Sequence, residues 1–199
     1  DGVGYGQGTF DIIEWMAHLV PSKWVKQYGY MDPDFLMTEY FTMDFVASRT
    51  EYTFWSLWSS PLLVSTDLRK ISKEKMEILS NDEVIAINQD PSFTGGDRIF
   101  NDTDGRQVWA RDLANGDKCV VLYNSGNGKS HGKKLVIEVT WKMLGWEAKS
   151  DPAGNTDQDV IVHVRDLWAK KSLGNYSGGY NGTIAVRDIQ MLRLRRYGK

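Results

Sequence analysis

The 199-residue chain carries 24 Lys and Arg against 26 Asp and Glu, a net charge of −2, with 41 % hydrophobic and 12 % aromatic residues. That apolar content supports real cores and excludes a disordered protein, while balanced charge without long like-charge blocks leaves no footprint for a phosphate backbone, so no nucleic acid partner is expected. The longest apolar stretches are strand-sized and broken by charge, far short of the ~20 residues a spanning helix needs, so no membrane segment is expected either.

Thr9 is placed to cap a first helix whose apolar positions Ile12, Ile13, Met16 and Leu19 recur at helical spacing, with Asp11 near its amino end and Pro21 closing it. Tyr28 to Met37 alternates poorly and carries Pro33, which predicts a buried strand running into a loop. There Asp32 and Asp34 stand two residues apart, a spacing that in extended chain directs both carboxylates to one side. Two readings stay open for the pair. It is an Asp-Pro turn whose carboxylates accept local backbone N–H groups, or a pocket edge whose carboxylates bond a polyhydroxylated ligand.

Ser48-Arg49-Thr50-Glu51 reads as a capping box opening the next helix, with Tyr52, Trp55 and Trp58 spaced to bury one face as core rather than as a sugar platform. Pro61-Leu62-Leu63-Val64 is wholly apolar, as a parallel strand covered on both faces requires. Asp67 lies just past its carboxyl end, where α/β barrels place their chemistry. Ser72 and Asn81 are set to cap two short helices before Pro91. From Ile99 onwards, alternating runs predict strands at Gln107 to Arg111, Lys118 to Tyr123, Lys134 to Val139, Val160 to Val164 and Gly182 to Arg195, with hairpin turns at Asp104-Gly105 and Asn115-Gly116. The run from Ile189 to Arg195 alternates as a half-solvated strand should. The chain thus divides into an α/β part, 1–91, and an antiparallel β-sandwich, 97–199, hinged near Ser92 to Gly96.

His18, His131 and His163 fall on unrelated elements, and no G-x-S-x-G turn accompanies them, which argues against a Ser-His-Asp or Cys-His hydrolase. Cys119, inside Cys119-Val120-Val121-Leu122, is expected to be a small buried hydrophobe. Asn101 to Gly105 resembles half a calcium loop without the later acidic ligand, so no metal is expected, and no glycine-rich phosphate cradle is visible. Carboxylates remain as the catalytic groups in quantity, and carboxylate-only chemistry points to glycoside hydrolysis without a cofactor. Asn101, Asn175 and Asn181 open N-glycosylation triplets in turn-like stretches, which leans towards a secreted, lysosomal or vacuolar protein. The chain opens at Asp1 without an initiating Met, so processing, or a piece of a longer chain, is expected.

Met31-Asp32-Pro33-Asp34-Phe35-Leu36, Leu57 to Asp67, Ile78 to Asn81 with Val84 to Asp90, and the Asp166-Leu167-Trp168 run resemble, in that order, the later part of the α-galactosidases and α-N-acetylgalactosaminidases of glycoside hydrolase family 27. The resemblance implies the C-terminal part of a (β/α)8 TIM barrel, from about the end of the sixth strand through the eighth, followed by an antiparallel β-sandwich domain. It implies a retaining hydrolase that removes terminal α-linked galactose. Alternatives are an α-N-acetylgalactosaminidase, a β-arabinopyranosidase, a remnant that only packs against a partner chain, or a noncatalytic carbohydrate-binding protein. The last predicts Trp141, Trp146 or Trp168 gathered on one surface.

By the same likeness, Asp32 to Leu36 ends the seventh strand and Leu62 to Thr66 is the eighth. Asp34 and Phe35 fall on positions that line the sugar pocket, beside Asp32. Phe35 stands where the family has Met, and Tyr30-Met31 where it has Trp-Asn. The family's nucleophilic aspartate belongs to the fourth strand and so is absent from these residues. Counting back from the landmark pair Glu14-Trp15 places the acid/base aspartate on Asp1, although Gly2 departs from the family's Ile or Val. The strand-eight aspartate, Asp67, has no chemical role in the family. A galactoside is the implied partner, a homodimer is left open, and neither cofactor nor metal is implied.

Overall fold

The computed structural model describes residues 8–40, 43–146 and 160–197. Helices α1 (Gly8–Leu19), α2 (Phe45–Leu57), α3 (Lys73–Leu79) and α4 (Asp82–Asn88) come first. The strands β1 (Asp97–Asn101), β2 (Arg106–Asp112), β3 (Lys118–Asn124), β4 (Leu135–Thr140), β5 (Ile161–Asp166), β6 (Lys171–Ser177), β7 (Gly179–Ile184) and β8 (Ile189–Arg196) follow. Six of them form an antiparallel sheet in the order β1-β2-β3-β8-β5-β6, and β4 pairs with β7 as a second layer.

Strand alternation decides the layering. In β3, Cys119, Val121 and Tyr123 pack towards the helices, while Val120 and Leu122 pack towards β4 and β7. Trp109 and Val108 divide in the same way on β2. The six-stranded sheet is therefore a middle layer, with helices on one face and the β4–β7 pair on the other.

The hairpin turns form where expected, with Gly105 at φ 92° and Gly116 at φ 86°, conformations that glycine adopts without a Cβ clash. The stretch Gly182 to Arg195 is not one run but two strands, β7 and β8, which lie in different sheets. Nor is β8 half-solvated. It lies between β3 and β5, with Ile189 and Met191 in one core and Leu192 and Leu194 in the other. Strand β6 lay hidden in the Asp166-Leu167-Trp168 region, because its residues Lys171 to Ser177 form a mostly exposed edge without apolar alternation.

Ser72 and Asn81 cap α3 and α4 as expected, the Asn81 side chain accepting from Glu83 N at 3.1 Å and Val84 N at 3.3 Å. The cap of α2 is instead Asp44, whose carboxylate accepts from Ala47 N at 2.7 Å. Ser48 lies one turn further in, and its hydroxyl donates to the Thr38 and Asp44 carbonyls. The apolar pattern reaches back to Phe45, so the helix begins before the supposed capping box. Thr9 is likewise inside α1, buried, with its hydroxyl turned to Glu51.

The two predicted buried strands are extended segments joined by one parallel bridge. Leu36 N donates to Leu63 O at 2.8 Å and Ser65 N donates to Leu36 O at 3.1 Å. Tyr28 is 91 % exposed and Leu63 54 %, so neither segment is covered on both faces. A buried parallel strand needs a hydrogen-bonded neighbour on each side, and among the described residues these two segments have this one parallel bridge, the first adding only an antiparallel bridge from Gly29 back to Lys26.

Helix α2 is buried almost all round. Phe54 meets Trp58, Trp109 and Tyr123 at centroid distances of 5.3, 5.1 and 5.2 Å, so one aromatic cluster crosses from helix to sheet. The connection at Ser92 to Gly96 is packed rather than loose: a Cβ on Gly96 would fall 2.5 Å from Leu57 Cγ, and one on Gly95 2.6 Å from Pro21 Cβ.

Candidate functional site

The Asp32–Phe35 turn is built from its own carboxylates. Asp34 N donates to Asp32 Oδ1 at 3.0 Å, and Phe35 N donates to Asp34 Oδ1 at 2.7 Å. Asp34 is held at φ 79°, in the left-handed region that residues with a Cβ rarely occupy. A third bond keeps it there, from the Trp55 indole N–H to the Asp34 carbonyl at 2.7 Å. Such a conformation persists where the surroundings over-determine it, which is common at ligand sites. Asp32, Asp34 and Phe35 are all exposed, Phe35 by 53 %. The turn therefore presents two carboxylates and one flat apolar ring together. The turn reading and the pocket-edge reading are compatible, since each carboxylate gives one named oxygen to the backbone.

Beneath this edge lies the glutamate of the expected capping box. Glu51, fully buried on α2, accepts from Met37 N at 3.0 Å through Oε2, and Thr9 Oγ1 donates to Oε1 at 3.5 Å. Burial pushes its carboxyl up from 4.5 to about 8, against the lowering effect of Met37, Thr9 and the Lys75 charge. The available signal was its place in Glu51-Tyr52-Thr53-Phe54-Trp55, a lone carboxylate within an aromatic run. Periodicity alone did not show that the helix is buried on every side.

The other expected residues are dispersed. Asp1 lies outside the described residues. Of its landmark pair, Glu14 bonds Arg98 at 2.6 Å and Gln107 at 2.5 Å, tying α1 to β1 and β2, while Trp15 is exposed. Asp67 pairs with Arg69 at 2.8 Å, and the Arg69 side chain and backbone N–H hold its carboxyl below the usual range. Asn101, Asn175 and Asn181 are exposed, but they sit on β1, β6 and β7 rather than in turns.

The three tryptophans that a binding module would gather are scattered inward. Trp141 is buried, Trp146 lies under the Lys118 ammonium at 5.5 Å, and the Trp168 indole donates to Thr53 Oγ1 at 2.9 Å. A cleft of about 470 Å³ between the helices and the sheet, lined in part by Arg49, Asp166, Trp168, Lys170 and Gln190, contains neither the Asp32–Phe35 turn nor Asp67, and Trp168 is the one expected tryptophan along it. Within it Gln190 bonds Asp166 at 2.9 Å, and one Arg49 terminal nitrogen bonds Asp188 at 2.6 Å while the buried Arg49 Nε has no partner among the described residues.

Residues 8–90 match the family model described as alpha galactosidase A, and residues 103–194 the one described as alpha galactosidase C-terminal beta sandwich domain. The chain belongs to the α-galactosidase family, glycoside hydrolase family 27. Among its α-galactosidase relatives, that of Oryza sativa subsp. japonica is 33 % identical over 181 residues, 91 % of this chain and 38 % of the relative. The alpha-N-acetylgalactosaminidase of Homo sapiens is 39 % identical over 138 residues, 68 % of this chain and 32 % of the relative. The crystal structure of alpha-galactosidase I from Mortierella vinacea superposes with a TM-score of 0.80 at 32 % identity, covering 94 % of this chain and 44 % of that one. The chain thus spans less than half the length of these α-galactosidase-family relatives. It corresponds to the C-terminal part of the family fold, the end of the barrel followed by the β-sandwich.

Proposed function

We propose that this chain supplies the closing part of the catalytic barrel, 1–91, and the β-domain, 97–199, of a retaining glycoside hydrolase that removes terminal α-linked galactose from galactosides. The observation that carries the reading is the Asp32–Asp34–Phe35 turn, pinned in a left-handed conformation with carboxylates and ring exposed together. Carboxylate oxygens that accept hydroxyl protons, beside an apolar face, form the surface a pyranose needs.

In the proposed double displacement, an aspartate from outside these residues attacks the anomeric carbon while Asp1 protonates the departing oxygen. Asp1 then takes a proton from the water that releases the sugar. Asp32 and Asp34 orient the hydroxyls and Phe35 covers the ring. An α-N-acetylgalactosaminidase is the second reading, favoured by the 39 % identity to the human relative of that name. The exposure of Asn101, Asn175 and Asn181 supports glycosylation and hence a secreted, lysosomal or vacuolar setting.

Titration of the chain with galactose, followed by the amide shifts of Asp34 and Phe35, tests the pocket edge. D34N keeps the turn, because Asn tolerates the left-handed region and retains the acceptor. By removing a charge-assisted bond it is expected to weaken binding about tenfold, or ~1.4 kcal/mol. Equal affinity in both proteins would remove Asp34 from the site. The chain alone is expected not to turn over p-nitrophenyl α-galactoside, and measurable turnover would refute a nucleophile outside it.

A further inference from the structure

We propose that Glu51 is a positioning residue for the sugar-binding edge: from inside α2 its carboxyl fastens the 36–38 segment to α1 and so fixes where Asp34 and Phe35 stand. The inference rests on the pocket reading above, but it is carried by separate geometry. Three segments meet at this side chain. Met37, two residues beyond Phe35, donates its backbone N–H to Oε2, and Thr9 reaches Oε1 from the first turn of α1. Trp55, one turn along the same helix, holds the Asp34 carbonyl. One face of α2 thus grips the edge twice, through Glu51 at Met37 and through Trp55 at Asp34.

A purely structural junction does not call for an ionisable group here. Gln has the same shape, accepts from Met37 through its carbonyl and donates to Thr9 through its amide, without the cost of burying a charge. Glu makes the anchor depend on protonation. The charged group that faces it is Lys75 on α3, whose ammonium also donates to the Met43 carbonyl. The remaining ionisable groups of the packed elements are engaged elsewhere or exposed. On α1, Asp11 is exposed and Glu14 bonds Arg98; on the edge, Asp32 and Asp34 accept from their own turn, and Glu39 bonds Ser72. On α2, Asp44 caps the helix, Arg49 bonds Asp188, and the Tyr52 hydroxyl donates to Leu79 O. Burial opposes ionisation of Glu51 in this position although the Met37 and Thr9 bonds favour it, so opening of the junction, which brings the carboxyl to water, becomes easier as pH rises.

Amide hydrogen exchange on the whole chain tests this, with Val121 in the middle of the sheet as internal reference. After correction for intrinsic exchange, Met37 protection in the wild type is expected to fall at least tenfold between pH 5 and pH 8.5 while Val121 holds. In E51Q it stays level, and in E51A it is lost at both pH values. A parallel decline in wild type and E51Q, or undiminished Met37 protection in E51A, would overturn the proposal. Should E51A fail to fold, the comparison of wild type with E51Q decides alone. Galactose titrations at the two pH values separate the two claims. Affinity that falls with pH in the wild type but not in E51Q supports positioning, and affinity that falls equally in both overturns it. A chain that never binds galactose refutes the pocket reading and the positioning role with it, while a Met37 result against the anchor overturns Glu51 even where galactose binds.

Discussion

At the scale of single residues, burial controls the chemistry. Glu51 binds its proton more tightly in the folded chain, where its carboxyl is raised to about 8, than at its ordinary value of 4.5. Its contribution to stability is therefore complete below about pH 4.5, is lost as pH rises towards 8, and is flat above that. Thermal melts are expected to show a midpoint falling across this window, on the order of several kcal/mol in all, and E51Q should remove most of the slope. Asp117 acts in the opposite window: burial raises its carboxyl, but Asn115, Arg193 and Arg195 outweigh that and lower it, so its stabilisation is lost only in acid. Cys119 is fully buried, with its thiol pushed up to about 12 by desolvation. A thiol reagent at pH 8 should leave it unmodified in the native chain and label it fully in denaturant. Fast native labelling would contradict the packing of β3 against α2. Cys119 could be foreseen from its apolar neighbours, whereas Glu51 could not, because its partners Thr9 and Met37 come from other segments.

At the scale of elements, α2 and β2 are joined by a group that no local pattern marks. The buried Arg111 guanidinium on β2 donates to Ser56 O at 3.2 Å, Ile87 O at 2.7 Å and Asp90 O at 3.4 Å, satisfying carbonyls at the ends of α2 and α4. R111M would fill much of the volume but strand those carbonyls, at a cost of about 3 kcal/mol measurable by denaturant unfolding. A cost below about 1 kcal/mol would mean that water replaces the guanidinium. Local signals located the elements themselves well: the caps at Ser72 and Asn81, the glycine hairpins, and the alternation of β2 and β3. They failed where pairing is non-local. Pro61 to Val64 has the composition of a doubly covered strand, yet its only partner among the described residues is Leu36. The run ending at Arg195 looked half-solvated because Arg193 and Arg195 lie on the same face as Ile189 and Met191, where both reach Asp117.

At the scale of the molecule, the helices and the sheet share one aromatic core. Trp55, Trp58 and Phe54 pack with Trp109 and Tyr123 across the 91–97 connection, which is itself wedged against Leu57 and Pro21. Calorimetry should therefore show one unfolding transition rather than two, and separate transitions would mean that the sandwich folds without the helices. The order of its segments was sufficient to identify the family, because those motifs are local strings that survive divergence. The β-sandwich followed from turn chemistry and alternation, which also act within a few residues. The middle position of the six-stranded sheet, the Arg111 bridge, and the Glu51 junction under Asp34 and Phe35 were decided only by tertiary structure. Each depends on groups far apart in the chain meeting where water is excluded, and neither periodicity nor spacing encodes that meeting.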